Sequence, residues 1–115
     1  MALTNAAKHV MLDELATVAV YVSLHTADPG STGTSEVTGG SYTREAITWN
    51  AAASGALDSS NTPVFDVPAG TTVTHWGLWS AATNGTFYGG NSLSASEAFT
   101  GAGTYTLTDA DVSLS

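Results

Sequence analysis

A chain of 115 residues, 43% of them hydrophobic and only 10% charged, has the size of one domain with one core. Its net charge is −8 and its only permanent cations are Lys8 and Arg44, which argues against nucleic-acid or anionic-lipid binding by charge neutralisation. Cysteine is absent, which removes disulfides, thiolate nucleophiles and thiolate-bound metals. Surface polarity must come from Ser, Thr, Asn and Gly, whose hydroxyls and amides are cheap to bury against a partner. That suits a part built for assembly; it suits an ordinary Ser/Thr-rich β-domain equally well.

Thr4 or Asn5 can cap a helix reaching Leu15 or Ala16, so residues 1–16 are assigned to one helical segment. Leu3, Ala7, Val10, Met11 and Leu15 fall on one stripe at 3- and 4-residue spacing, to be buried on the chain's own sheet or on a neighbour. Asp13 and Glu14 stand at the wrong end for the helix dipole, so docking must hold this helix. The same two acids interrupt anything resembling a signal peptide, and the apolar run to Leu24 is too short to span a bilayer. The expectation is a protein made in a cytoplasm and kept there, or built into something assembled there.

Thr17 to Leu24 is almost unbroken in β-branched residues and reads as a buried strand. Residues 27–40 form a long loop by their Pro, Gly, Ser and Thr content. Tyr42 to Ala51 alternates as a strand, a short edge strand is expected near Ala56-Leu57, and Pro63 to Val67 is another. Thr71 to Ser80 places one tryptophan on each period-2 face, Trp79 with Val73, His75 and Gly77, and Trp76 with Thr74 and Leu78. A strand covered on both sides belongs mid-sandwich or at a subunit contact. Asn84-Gly85 is a type I′ hairpin signal, with Thr86 to Gly90 as the return strand. Ser92 to Phe99, Thr104 to Leu107 and Val112 to Ser115 complete seven or eight short strands. The fold class is therefore mainly β, an antiparallel, jelly-roll-like β-sandwich with one short N-terminal α-helix, as a single domain over 1–115.

Little here favours chemistry. His9, His25 and His75 lack metal-ligand spacing, and no G-x-S-x-G elbow or phosphate cradle accompanies the many serines. Asp58, Asp66 and Glu97 do not have the spacing of a glycosidase pair. Asp109 and Asp111, with Asp28 and Glu36, could offer oxygens to calcium, but the glycine and distal glutamate of an EF-hand loop are missing and turn formation explains them better. The reading is no catalytic residue, no metal and no cofactor. Tyr42, Trp49, Trp76, Trp79 and Tyr88 could instead stack on sugars, though cores and subunit interfaces use such residues more often.

The segments SLHTADPG (Ser23–Gly30), EVTGGSYTREAITW (Glu36–Trp49) and VPAGTTVTHWGLWSA (Val67–Ala81) resemble a small family of tailed-bacteriophage virion proteins. Its members are labelled tail fibre or minor tail protein, some with a suspected place on the head. The resemblance implies a non-enzymatic virion structural protein. The resulting expectation is a homo-oligomer, a trimer first, that decorates a capsid or serves the tail by binding the major capsid protein or tail proteins. The alternative is a receptor- or carbohydrate-binding module at a fibre tip, with a host-surface glycan as partner. The expected interface residues are Asp28, Pro29, Glu36, Trp49, Trp76, Trp79 and Tyr88.

Overall fold

In the computed structural model, which describes residues 1–108 and 110–114, the chain is mainly β and antiparallel, with one helix near its start. Helix α1 spans Asn5–Val18, and the Thr4 side chain caps it by accepting from the Ala7 N–H at 3.2 Å. Eight strands follow among the described residues: β1 (Tyr21–His25), β2 (Glu45–Ala46), β3 (Ala56–Asp58), β4 (Val64–Val67), β5 (Thr71–Trp79), β6 (Phe87–Phe99), β7 (Gly103–Thr106) and β8 (Asp111–Ser113). One four-stranded sheet has the order β2-β1-β5-β6, and two ribbons pair β3 with β8 and β4 with β7. No helix among the described residues is long and apolar enough to cross a membrane.

The layers follow from the β1–β5 register. Val22 stands opposite Leu78 and Leu24 opposite Trp76, so these four share one face. Phe65 and Val67 of β4, with Leu93, Leu107 and Ala110, join that face in a single apolar cluster. The sheet and the β4–β7 ribbon thus enclose the core between them, a sandwich-like arrangement. Ser23 opposite Gly77 and His25 opposite His75 lie on the other face. That face is covered as well, by the loop after β1. The two-sided burial expected of Thr71 to Ser80 is observed: Trp76 is 3% exposed and Trp79 7%.

Several boundaries differ from expectation, each for a physical reason. The helix runs on through Thr17 and Val18, where the Thr17 hydroxyl donates back to the Glu14 carbonyl at 2.7 Å, so the strand starts only at Tyr21. Of Tyr42 to Ala51 only Glu45–Ala46 is strand. Tyr42 and Arg44 turn their polar ends to the loop after β1, and Trp49 contributes one isolated bridge to Ser59. Asn84 and Gly85 do hold positive φ, 55° and 79°, but within a longer Ser80–Thr86 connection. The two segments expected over Thr86 to Gly90 and Ser92 to Phe99 merge into one strand, β6, from Phe87 onward, whose pairing steps from His75–Ser92 to Val73–Glu97, leaving Leu93 to Ser96 bulged out. The last strand ends at Ser113, and Ser115 lies outside the described residues.

The stripe on α1 resolves unexpectedly. The helix docks on the Ala52–Gly55 turn through polar groups: His9 Nε2 accepts from the Gly55 N–H at 3.0 Å, and Asp13 Oδ1 from the Ala52 N–H at 2.9 Å. Leu12, one residue off the stripe, is the buried side chain of the helix. Val10 and Met11 project outward, 72% and 45% exposed.

Candidate functional site

The face of the sheet opposite the core is closed by a loop and a chain of buried hydrogen bonds. Residues 26–36 fold back over it, pinned by the Thr26 N–H to the Ser35 carbonyl at 2.9 Å and the Val37 N–H to the Leu24 carbonyl at 3.0 Å. Beneath them lies a buried polar chain. His25 Nδ1 is 2.7 Å from the Thr34 carbonyl, which can only accept, so Nδ1 carries the proton. Nε2 is then an acceptor to which the Ser23 hydroxyl donates at 2.7 Å, while Ser23 Oγ accepts from Trp79 Nε1 at 2.8 Å. Burial holds the His25 imidazole below its ordinary pKa, because a cation there would lose its water.

A serine hydroxyl at this distance from an imidazole has the spacing of a nucleophile and its base. Access decides otherwise: Ser23 and His25 are both 0% exposed, and the imidazole is oriented by a backbone carbonyl with no carboxylate behind it. The pair anchors the loop. Gly33 completes the seal, since a side chain there would meet the Trp79 ring at 2.5 Å and would have to accept a φ of +77°.

Arg44 closes the same face from the side. Its guanidinium lies 3.6 Å from the Trp79 ring centroid, donates to both Glu36 oxygens and reaches the Ala81 and Asn84 carbonyls at 3.0 and 2.8 Å. The Tyr42 hydroxyl donates to Glu36 at 2.9 Å and accepts from the Leu24 N–H at 3.0 Å. Burial pushes the Tyr42 phenol far above its ordinary pKa, so it remains a donor. Sequence reasoning registered Arg44 only as a cation and His25 only as a histidine without metal-ligand spacing. The signal for both was available in part: one arginine in a chain this poor in cations has a specific partner.

The expected interface residues scatter. Asp28 is exposed, its carboxylate closing a turn on the Gly30 N–H at 2.9 Å. Pro29 is the buried residue of the loop, and Glu36 is engaged by Arg44 and Tyr42. Trp49 is half-buried, its indole donating to the Ala19 carbonyl at 2.8 Å. Trp76 and Trp79 are interior residues of the single chain. Tyr88 alone combines a large aromatic ring with real exposure, 41%. It borders a groove of about 280 Å³ between β6 and β8, floored by Leu15, Trp76 and Leu78 and edged by Asn91, Asp111 and Ser113. Asp109 lies outside the described residues. Among the described residues no three His, Asp or Glu side chains converge as a metal ion would require.

A family model described as podophage GP4 fiber I protein gp80 matches residues 3–115. The chain belongs to this family. No curated protein matches it. Membership in the podophage fiber I family makes the chain a phage structural protein and a component of the virion, in agreement with the resemblance carried by SLHTADPG and THWGLW.

Proposed function

We propose that this chain is a non-enzymatic structural module of the phage particle, assembled in the host cytoplasm, that works as a trimer seated on major capsid or tail proteins. The observation that carries the reading is the orientation of α1. The helix buries Leu12 and ties His9 and Asp13 to its own body, yet presents Val10 and Met11 to the outside, where an isolated chain leaves apolar area in water. Burial of that face between copies offsets the loss. Few charges oppose it, because only Lys8, Asp13 and Glu14 along the helix are ionic, and the Asp13 carboxylate already accepts from the Ala52 N–H. The exposed Asp28 turn and the partly open Trp49 add candidate contact area; a specific interface needs about 800 Å² per partner.

Sedimentation equilibrium on the full chain, with particles purified from infected cells probed by antibody, tests the proposal. A trimer mass and co-purification with particles are expected, and V10D with M11D should yield a monomer with an unchanged circular dichroism spectrum. A wild-type monomer at every concentration, missing from particles, would overturn it. Gold labelling of intact particles separates head from tail.

A further inference from the structure

We propose that the groove between β6 and β8 is a binding site for a neutral saccharide. Its aromatic side is aimed there by a local irregularity. Trp79 pairs with Phe87 and Leu78 with Gly89, so Tyr88 is the extra residue of a β-bulge, and bulges of this kind redirect a side chain beside a site. Gly89, at φ +147°, takes up the backbone consequence. The result is an exposed phenol ring standing at the lip of a concave surface, the arrangement that stacks on the C–H face of a sugar.

The opposite lip supplies polar groups suited to hydroxyls. Asp111 and Ser113 line the groove from β8, and Asn91 lines it from β6. Asn91 Oδ1 accepts from the Ser92 N–H at 2.8 Å, which leaves its amide N–H groups as donors. A carboxylate acceptor, an amide donor and a hydroxyl around one ring match a polyol's alternating needs. The apolar floor of Leu15, Trp76 and Leu78 favours a ligand with an apolar face over a purely ionic one. At about 280 Å³ the space sits near the lower bound for small-ligand sites, enough for one or two sugar rings.

Charge fixes the class further. Asp111 is at the lip and neither Lys8 nor Arg44 lines the groove, so a uronate, sialate or phosphate would meet repulsion with no cation to offset it. An extended peptide added to the outer edge of β6 is disfavoured as well, because the bulge at Tyr88 and the φ of Gly89 interrupt the regular row of backbone groups that strand addition needs. The site is tested separately from the oligomer proposed above: its lining comes from β5, β6, β8 and Leu15 of α1, and neither Val10 nor Met11 lines it.

The test is a ¹⁵N chemical-shift titration of the full chain with neutral oligosaccharides of glucose, galactose, rhamnose and N-acetylhexosamines, alongside sialylated and uronic oligosaccharides and an unstructured neutral peptide. At least one neutral sugar is expected to shift Tyr88 to Ser92 and Asp111 to Ser113, with Y88A and D111N each weakening affinity about ten-fold and Y88F within about two-fold of wild type. Thermal melts of the variants establish that each is folded; S113A and N91A serve in place of any that is not. No shift with any neutral sugar, shifts confined to acidic sugars or the peptide, or equal affinity in Y88A overturns the proposal.

Discussion

At the scale of single residues, the chain from Trp79 through Ser23 to His25 and the Thr34 carbonyl carries a dependence on pH. A buried imidazole prefers to be neutral, and burial outweighs the Thr34 carbonyl and the Glu36 carboxylate, which pull the other way; Arg44 and His75 reinforce it. The unfolded chain takes up a proton as pH falls through the ordinary value of 6.5, and the folded chain does so only at lower pH. The stability contributed by neutral His25 is therefore complete above pH 6.5 and is lost as pH drops below it, by at most about 1.4 kcal/mol per pH unit. Urea midpoints measured from pH 7.5 to 5 should fall for the wild type and fall less steeply for H25Q. Parallel curves would remove His25 as the cause. None of this was legible in the sequence, because a serine and a histidine two apart in a strand share a face by rule but reveal nothing about what covers it.

At the scale of elements, the loop after β1 behaves as a fitted cover held by one side chain. Arg44 joins the loop through Glu36, the Ser80–Thr86 connection through two carbonyls, and the sheet through the Trp79 ring. A lysine keeps the charge but cannot face three partners from one rigid plane. R44K should cost about 2–3 kcal/mol, on the scale of breaking a largely buried ion pair, and should speed amide exchange in residues 26–36 and 80–86 while the β4–β7 ribbon keeps its protection. Uniform exchange across the chain would contradict it. The period-2 pattern of β5 was readable because a tryptophan on each face leaves few alternatives, and the pairing of β1 with β5 then buries both. The extent of α1 and the direction of its stripe were not. Thr17 and Val18 favour strands only weakly against a helix already begun, and the docking contacts of His9 and Asp13 are with backbone groups that no periodicity registers. The bulge of Leu93 to Ser96 was similarly hidden, since Leu93 is buried within an otherwise polar run.

At the scale of the whole molecule, the fold was legible in class and the candidate site only in part. Composition and turn spacing identify an antiparallel β-domain, while the fate of each aromatic depends on register: Trp76 and Trp79 go inside, Tyr88 stays out because one extra residue rotates it. The domain is elongated, 47 × 26 × 24 Å, which suits an extended part of a particle. Its first and last elements meet at one place. Helix α1 rests on β3, β3 pairs with β8 over three residues, and Gly55 donates its N–H to His9 of the helix while its carbonyl accepts from the Leu114 N–H.

That meeting point has a mechanical meaning. Tension applied at the two ends of the domain first loads a three-residue clasp, before the central sheet, where β5 is flanked by β1 over His75–Trp79 and by β6 over most of its length. In an optical trap, a first short opening at low force, followed by a separate rupture at higher force, is expected. A structure hung in a moving particle could thus give way a little at the clasp and re-fasten, with its interior left shut.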